Sequence, residues 1–304
     1  TQFKVSITPT APAVYMIIDL TQSPGAAGQI EYVYEDDLHA GTYGAVETNF
    51  VAGIESLIWT GVTNNSAYKE QKMVLRRVRA GSVTPASGSA ISVSKDFYIA
   101  VFETTQNQWM RIDGAYPASG YTGNRNRPVE KIASYDRLRG STADGVNWPS
   151  TGDCVSPSSF VAQTRDKTGV SGFDLPNNSQ WQYACRAGTS TIFNDNASDA
   201  TTAEINGTNQ WLHVLGRYKG NASGIPPSVV GSYKPNAWGI YDMHGNVQEW
   251  TLDWYAVGSQ RTRRGGSWLY EAGRCFSGFS NGTVPNDTDN FYVNGFRFII
   301  NLEP

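Results

Sequence analysis

The side chains that most often perform catalysis or bind metal ions are few in this sequence and far apart. They are three cysteines and three histidines: Cys154, Cys185, Cys275, His39, His213 and His244. Zinc sites need Cys or His ligands at short, paired spacings, and these positions do not provide them. The sequence gives no metal triad and no support for a histidine-dependent nucleophile. We predict that each cysteine is a small buried residue, as free cysteines usually are.

A segment near the carboxyl end has the chemistry of a binding surface instead. The motif RRGGSW at 263–268 precedes it, and the motif NGFR at 294–297 follows it. Between Cys275 and Phe296 the chain contains no Lys, Glu, Gln, Met or Trp and is rich in aromatic and small polar residues. Phe and Tyr give large rigid contacts at low entropy cost, whereas Ser, Gly and Asn adapt their hydrogen bonds. We therefore predict ligand binding ahead of catalysis.

Composition and charge exclude several other classes of protein. The 304 residues carry a formal net charge of −3, so the sequence offers no electrostatic basis for binding nucleic acid or an anionic membrane. Only 17% of the residues are charged, whereas Gly and aromatic residues are plentiful, a balance typical of a loop-rich globular protein. No apolar run approaches the roughly 20 residues of a membrane-spanning helix.

Short strands are predicted in the first third of the chain. These strands are expected to help to position the binding segment. They are runs of β-branched and aromatic residues, or they alternate apolar and polar residues with a period of two. The predicted strands are 14–20, 29–35, 54–59, 73–78 and 97–105. Because the character of the sequence changes near Gln71, we predict a small N-terminal β-rich lobe at 1–70 and a larger domain at 71–304.

Capping residues predict helices farther along the chain. Thr105 is expected to be the N-cap of a helix that begins at the next residue. Ser156, which precedes a proline, is expected to open a second helix that stops at Gly169. A third helix is predicted to begin at Ser179 and to end at Gly188, because glycine commonly follows the last helical turn.

Four motifs occur in the order found in one known family. The stretch 174–189 is DLPNNSQWQYACRAGT and resembles the family signature LPTEAEWEYACRAGT. The stretch 234–250 is KPNAWGIYDMHGNVQEW and resembles PNAWGLYDMHGNVWEW. Residues 97–109 match a third signature, and the RRGGSW and GFR motifs match a fourth. Over residues 71–300 the chain thus resembles the formylglycine-generating enzyme, or sulfatase-modifying factor, family.

The resemblance implies an α+β, C-type-lectin-like fold with much irregular structure, and it establishes a fold better than a function. Oxidase members of the family bind copper through two cysteines, of which the second matches Cys275. The first matches Tyr270, which cannot provide a thiolate, and a Cu(I) site needs both soft ligands. We therefore expect that the chain is not an enzyme, that it has no catalytic residues and no cofactor, and that Cys275 is a scaffold residue.

The variable proteins of diversity-generating retroelements are the subgroup that the chain resembles most. In these bacterial receptors, adenine-directed mutagenesis rewrites the segment between RGGSW and GFR and cannot produce Lys, Glu, Gln, Met or Trp. The same five residue types are missing between Cys275 and Phe296, whereas Glu271 departs from the rule, and a chance gap in a polar loop is the alternative. The resemblance predicts a variable segment at about 268–294 that binds a protein or glycan on another cell or macromolecule.

Eleven positions of this segment are predicted to contact the ligand, because aromatic residues are typical interface anchors and small polar residues adapt to a partner. They are Leu269, Tyr270, Phe276, Phe279, Ser280, Asn281, Asp287, Asp289, Asn290, Phe291 and Tyr292. Inward packing of Phe276 and Phe279 stays open at this point. Trp268, Phe296 and Phe298 are predicted to lie in the core and to hold the ends of the segment.

The resemblance leaves a structural calcium ion open, although none is expected. Family members bind Ca²⁺ in the turn that matches GNVQEW here. Carried over to this chain, the ligands are the side chains of Asp242 and Glu249 and the backbone carbonyls of Gly245 and Val247. Oxygen ligands on a tight loop suit Ca²⁺. Gln248 stands where the family has Trp, and the alternative is that Glu249 and Asn246 only satisfy backbone groups in the turn.

Two other functions stay open. One is an enzyme of the same fold that uses a different site, and the other is a fixed adhesion or structural domain. For the receptor, the resemblance implies display at the cell surface or secretion, with a lipid anchor on a segment outside this chain, and leaves a cytoplasmic location open. No nucleic-acid partner is expected, and the sequence does not indicate an oligomeric state.

Overall fold

The computed structural model describes residues 13–51, 54–131, 134–141, 154–196, 209–224, 226–285 and 293–302. The strands in these residues are β1 Tyr15–Asp19, β2 Ile30–Val33, β3 Val46–Val51, β4 Ile54–Trp59, β5 Lys72–Val78, β6 Gly81–Val83, β7 Ile91–Val93, β8 Phe97–Ala100, β9 Phe173–Asp174, β10 Gln248–Ala256, β11 Gln260–Arg264, β12 Ser280–Thr283, β13 Asn294–Gly295 and β14 Ile299–Asn301.

The α-helices in the same ranges are short, and irregular chain connects most of them. They are α1 Glu35–His39, α2 Ala67–Glu70, α3 Gln106–Asp113, α4 Tyr135–Arg139, α5 Phe160–Thr168, α6 Asn178–Arg186, α7 Leu212–Leu215 and α8 Lys219–Ala222. Within these ranges, 3₁₀ helices occupy Thr60–Thr63 and Ala272–Arg274. The predicted α+β class is thus confirmed. None of the helices in the described part of the chain is long and apolar enough to cross a bilayer.

A six-stranded sheet forms the centre of the fold, with the strand order β2-β1-β5-β8-β14-β9. Every neighbouring pair in it is antiparallel. Ile299 of β14 lies opposite Ile99 of β8 on one side and opposite Asp174 of β9 on the other. The strand that comes last in the chain is therefore an interior strand of this sheet.

A four-stranded sheet, ordered β12-β11-β10-β13, carries the beginning and the end of the predicted binding segment. Arg264 at the end of β11 pairs with Ser280 of β12. Asn294 of β13 pairs in parallel with Gln248 of β10. The segment thus leaves one sheet after β11 and returns to that sheet twice, so its ends are fixed by backbone hydrogen bonds.

Both faces of the central sheet are buried. In β1, Met16 belongs to a hydrophobic cluster that includes Trp109 of α3 and Phe160 of α5, whose rings stack with centroids 3.9 Å apart. Its neighbour Tyr15 belongs to a second cluster. Successive side chains of a strand point to opposite faces, so helices and loops cover the sheet on both sides.

The predicted core residues at the ends of the binding segment are confirmed. Trp268, Phe296 and Phe298 are 7%, 1% and 0% exposed. Phe296 and Phe298 pack edge to face, with ring centroids 5.1 Å apart. These side chains attach the strands that bracket the segment to the interior, as the sequence predicts.

The predicted boundary near residue 70 does not separate two structural units. β1 pairs with β5, with Tyr15 opposite Arg76, and the Tyr98 hydroxyl donates to the Ala13 carbonyl at 3.0 Å. β1 and β2 therefore belong to the same sheet as β8 and β14. The described part of 1–70 thus contributes two strands to the central sheet, while its strands β3 and β4 pair with each other in a separate sheet.

The cap predicted for α3 is confirmed. The hydroxyl oxygen of Thr105 accepts from the Gln108 backbone N–H at 3.1 Å, and the Gln108 side chain accepts from the Thr105 N–H at 3.0 Å. This is a capping box. The strand predicted at 97–105 is shorter than expected, because β8 stops at Ala100 and the chain then turns toward the helix.

Two helix starts differ from the sequence prediction. Ser159, not Ser156, caps α5, and its hydroxyl accepts from the Ala162 N–H at 3.2 Å. The helix α6 begins at Asn178, one residue before the predicted start at Ser179, and Asn177 caps it by accepting from the Gln180 N–H at 2.8 Å. In both places several adjacent residues can cap, and packing of the helix selects among them.

Candidate functional site

A buried ion pair joins the two sheets. The Arg297 guanidinium donates to both carboxylate oxygens of Glu249, at 2.8 and 2.7 Å, and to the Tyr241 carbonyl at 2.9 Å. Trp181 of α6 donates its indole N–H to the same carboxylate at 2.7 Å. A bidentate, fully buried pair of this kind is strong and specific in geometry. We call Trp181, Glu249 and Arg297 the frame.

The glycine pair of the RRGGSW motif allows the binding segment to fold back on its own start. Gly266 has φ +71°, and a Cβ at this position would lie 2.4 Å from the Arg274 carbonyl oxygen and 2.5 Å from the Cys275 Sγ. Only glycine fits a left-handed turn at such close approach. Arg274 and Cys275 are therefore held against the loop that follows β11.

The folded-back segment borders an open cleft with a volume of about 470 Å³. This volume lies in the range of ligand-binding sites in proteins. The residues that line it are Lys219, Leu269, Tyr270, Glu271, Gly273, Arg274 and Phe279. We call this site the cleft. It brings together three of the predicted ligand contacts, Leu269, Tyr270 and Phe279.

The cleft carries more positive than negative side chains. The Lys219 ammonium donates to the Glu271 carboxylate at 2.5 Å, with the two side chains 60% and 34% exposed. The guanidinium of Arg274 lies over the Tyr270 ring, 5.1 Å from its centroid. Arg274 has no hydrogen-bond or carboxylate partner among the described residues. The ion pair with Glu271 neutralises the charge of Lys219, and the charge of Arg274 is left accessible.

Phe276 and Phe279 differ in their roles although they lie edge to face, with ring centroids 6.0 Å apart. Phe276 packs against a hydrophobic cluster that contains Cys275 and therefore faces inward. Phe279 lines the cleft. Arg264 donates to the Phe279 carbonyl at 3.4 Å, and burial lowers the pKa of Arg264 to about 10. Of the two phenylalanines, Phe279 is the one that can contact a ligand.

Ser280 and Asn281, two further predicted ligand contacts, form the beginning of β12. The Asn281 side chain accepts from the Gln248 Nε2 at 3.0 Å, so it is tied to β10. Both residues are half-buried and neither lines the cleft. The remaining predicted contacts lie outside the described residues: Asp287, Asp289, Asn290, Phe291 and Tyr292.

Two of the three cysteines are buried and inert. Burial raises the pKa of both Cys185 and Cys275 to about 12, so their thiols stay protonated at neutral pH. The Cys275 thiol lies 3.9 Å from the Ser267 carbonyl oxygen, within the scaffold behind the cleft. Cys154 is exposed, so the prediction that each cysteine is buried is wrong there. The sequence predicts no helix or strand directly before Cys154.

Protein groups bind one of the four predicted calcium ligands, Glu249, in this arrangement. Both oxygens of Glu249 are bonded to Arg297, and a cation at Glu249 would have to displace that guanidinium. Asn246 accepts from the Ser228 N–H at 2.8 Å and so satisfies a backbone group, as the alternative to calcium predicts for it. Glu249 instead binds the side chains of Arg297 and Trp181.

Asp242 is the predicted ligand that keeps an open oxygen. Its Oδ2 accepts from the Gly231 N–H at 2.6 Å, while its buried Oδ1 has no partner among the described residues. Burial raises the pKa of Asp242 to about 6 and that of Glu103 well above its ordinary value. Within the described ranges, no group of three or more His, Cys, Asp or Glu side chains is placed to hold a metal ion.

Several cleft residues were not predicted from the sequence. Lys219 comes from α8, far from the segment in the chain, and no local pattern marks it. Glu271 and Arg274 lie inside the segment, but a search for aromatic and small polar contacts passes over them. Arg274 follows Tyr270 by four residues, and a cation near an aromatic residue is a signal that could have identified it.

Comparisons of the sequence with known proteins agree on one family. Residues 61–302 match the family described as the sulfatase-modifying factor enzyme 1-like domain. A protein named chaperone protein LppX from Paenibacillus barcinonensis is 28% identical over 249 residues, which are 72% of this chain and 85% of that protein. Formylglycine-generating enzyme from Mus musculus is 27% identical over 145 residues, 41% of this chain and 38% of the enzyme.

Solved structures share the fold at low identity. Treponema denticola variable protein 1 has a TM-score of 0.55 and 21% identity, and the match covers 85% of this chain and 99% of that one. PvdO from Pseudomonas aeruginosa has a TM-score of 0.56 and 20% identity, over 75% of this chain and 94% of that one. The predicted C-type-lectin-like fold of the formylglycine-generating enzyme type is confirmed.

Proposed function

Because the chain belongs to the sulfatase-modifying factor enzyme 1-like family, whose relatives include both an enzyme and a protein named a chaperone, we propose from its own residues that it is a non-catalytic binding protein. It binds a protein or glycan target through the cleft and the segment around it. The observation that carries this proposal is the cleft itself, which gathers a leucine, two aromatic rings and an unpartnered arginine from one segment of the chain.

The chemistry of the cysteines supports a role without catalysis. Tyr270 stands where the oxidases of this family have their first copper-binding cysteine, and it cannot bind Cu(I) as a thiolate does. Cys275, at the second position, is fully buried and has a pKa raised to about 12 by burial. Equilibrium dialysis with Cu(I) tests this point. Stoichiometric copper binding, or oxidation of a cysteine-containing peptide, would show that the chain is an enzyme and would contradict the proposal.

We infer further that the chain is the variable protein of a diversity-generating retroelement. The absence of Lys, Glu, Gln, Met and Trp between Cys275 and Phe296 supports this, and so does the fold shared with Treponema denticola variable protein 1. Sequencing of the neighbouring DNA tests it. A reverse transcriptase gene and a near-copy of the 3′ end that differs only at adenines are the expected result. Without them, the chain is a fixed binder.

Ligand binding through the cleft is tested with matched variants. The chain, the double variant Tyr270→Ala/Phe279→Ala and the control Tyr255→Ala are immobilised and screened against a glycan array and a display library of bacterial surface proteins. Tyr255 is a suitable control because it is exposed and does not line the cleft. Ligands that bind the chain and the control but not the double variant are expected. Ligands that bind all three equally would place recognition elsewhere.

A second candidate function is that of a chaperone for one partner protein. The similarity to the protein named chaperone protein LppX, over 72% of this chain, favours it. An aggregation assay with a heat-unfolded test protein separates it from the receptor. Suppression of aggregation that is lost in the double variant would favour the chaperone, whereas the receptor has no effect on unfolded protein.

We propose that the protein acts at the cell surface or outside the cell, where a receptor meets its targets, with a lipid anchor on a segment outside this chain. Protease treatment of whole cells measures this location. Digestion of the protein while cytoplasmic proteins stay intact is expected, and complete protection would assign it to the cytoplasm.

A further inference from the structure

We propose, on the basis of the proposed function, that the cleft binds a carboxylate side chain within an acidic, partly apolar peptide segment of a protein partner. Arg274 is the anchor of this interaction, and Tyr270, Leu269 and Phe279 form the surrounding wall. This names the class of ligand, which the fold and the family leave open.

The first support is the state of the charged groups in the cleft. Lys219 and Glu271 satisfy each other in an ion pair at 2.5 Å. Arg274 is left with its guanidinium on the Tyr270 ring and without an anionic partner among the described residues. The cleft therefore has one unused positive charge. A cationic ligand would be repelled, and a neutral ligand would leave this charge without compensation.

The second support is the geometry of Arg274. The guanidinium of Arg274 lies over the Tyr270 ring, a contact that uses none of its N–H donors. These donors match the two oxygens of a carboxylate, and the resulting pair of hydrogen bonds is directional as well as strong. The contact with Tyr270 also favours one position of the long arginine side chain before the ligand arrives, so less freedom is lost on binding.

The third support is a rigid backbone on both sides of the cleft. The Lys219 N–H donates to the Tyr270 carbonyl at 2.9 Å, and the Tyr270 N–H donates to the Ser267 carbonyl at 3.0 Å. Arg274 ends a 3₁₀ turn in which its N–H donates to the Glu271 carbonyl at 2.9 Å. The anchor and the ring beneath it are thus held by backbone bonds to fixed elements.

The apolar wall favours a peptide over a small anion. Leu269 is 39% exposed and Phe279 is half-buried, so each offers apolar surface beside the charge. A phosphate ion would use only the charge. An aspartate or glutamate next to an aromatic or aliphatic residue uses both, and a volume of about 470 Å³ holds a few side chains rather than a whole domain.

Selection from a displayed library of random peptides tests this inference. The folded chain, the variant Arg274→Gln and the control Arg111→Gln serve as targets. Arg111 is an exposed arginine of α3 that does not line the cleft. Peptides selected by the chain and by the control are expected to be enriched in Asp or Glu beside an apolar residue. The best of these peptides is expected to bind Arg274→Gln about tenfold or more weakly.

The same peptide with its acidic residue changed to the corresponding amide completes a double-mutant cycle. It is expected to lose affinity for the chain but to bind Arg274→Gln as the acidic peptide does. Selected peptides without acidic residues, equal affinity for Arg274→Gln, or no enrichment at all would each overturn the inference. Competition by N-acetylneuraminic acid in the absence of any enriched peptide would assign the cleft to acidic glycans and overturn it too.

Failure of this inference is distinct from failure of the proposed function. The proposed function depends on whether Tyr270→Ala/Phe279→Ala loses the ligands found on arrays, whatever their charge. The inference depends on the acidic residue and on Arg274. If the double variant loses its ligands and Arg274→Gln keeps them, the cleft is a binding site whose ligand is not anchored by a carboxylate.

Discussion

The frame and the cleft each contain an arginine, a glutamate and an aromatic ring, but the two arginines interact in opposite ways. In the frame, Arg297 is fully buried and uses its guanidinium on Glu249 and on backbone carbonyls. In the cleft, Arg274 is exposed, and its guanidinium contacts the face of Tyr270 without a hydrogen-bond partner in the described part of the chain. One arginine is part of the interior, and the other is available to a second molecule.

This difference separates the residues that keep the protein folded from those to which we assign ligand recognition. Side chains in the cleft can be exchanged with little effect on stability, since they contribute few internal bonds. Side chains of the frame cannot be exchanged in this way, because removal of any one of them leaves a buried charge or a buried polar group without its partner. The following predictions test that separation.

The largest effect is expected from Arg297→Ala. It leaves the Glu249 carboxylate buried without its partner, which should lower the free energy of unfolding by about 3–5 kcal/mol. Urea denaturation followed by circular dichroism measures this loss. Arg274→Ala is the matched control and should change the same free energy by less than about 0.5 kcal/mol. Similar losses in both variants would remove the distinction between frame and cleft.

A pH-dependent effect of nearly this size is expected at His244, which joins the buried interior to the cleft. Its Nδ1 lies 2.7 Å from the Cys275 carbonyl oxygen, and burial lowers its pKa to about 4. The unfolded residue titrates near 6.5. The neutral imidazole therefore stabilises the protein fully above pH 6.5, and this contribution is lost as the pH falls toward 4.

The measurement is the free energy of unfolding from pH 7 to 4 for the chain and for His244→Gln. The chain should lose roughly 3 kcal/mol more of its free energy of unfolding than His244→Gln does as the pH falls from 7 to 4, since one pKa unit corresponds to about 1.4 kcal/mol. Buried carboxylates such as Asp242 titrate in the same range in both proteins and cancel in the difference. A difference that does not depend on pH would show that His244 is not neutral in the fold.

An intermediate effect is expected from Gly266→Ala, because the added Cβ would lie 2.4 Å from the Arg274 carbonyl oxygen at a left-handed φ. The loss should be about 1–3 kcal/mol and should reshape the cleft. Gly114→Ala is the control, since Gly114 has φ +85° and no neighbour within 4 Å of a Cβ. Its smaller loss measures the backbone strain alone, and equal melting temperatures for the two variants would contradict the close approach.

The smallest effect on stability is expected from Leu269→Ser in the cleft. Leu269 is 39% exposed, so the melting temperature should stay within the range that corresponds to about 0.5 kcal/mol. The affinity for any ligand of the cleft should fall, because Leu269 contributes apolar contact there. A variant that is strongly destabilised would place Leu269 in the core instead.

Local signals in the sequence predicted much of the fold. Thr105 caps α3 as expected, because a capping box depends only on residues three apart. β1 and β5 follow from their runs of β-branched residues. Their pairing with each other, and the insertion of β14 beside β8, depend on contacts between distant parts of the chain. No local pattern contains that information, which is why residues 1–70 were predicted to form a separate lobe.

The candidate site was predicted only in part for the same reason. The position of the binding segment follows from its two bracketing motifs, and Leu269, Tyr270 and Phe279 do meet in the cleft. Lys219 joins them from α8 only after folding. The inward packing of Phe276 and the bond from Gln248 to Asn281 likewise depend on neighbours that the sequence does not identify.

The interior position of β14 has a consequence for how variants of this protein are made. Because β14 follows the binding segment in the chain and lies between β8 and β9, the central sheet closes only when translation has passed that segment in the correct frame. A premature stop codon or a frameshift within the segment leaves β8 and β9 without their shared neighbour. Such a product lacks an interior strand of the sheet, so it is expected to unfold and to be degraded by cellular proteases.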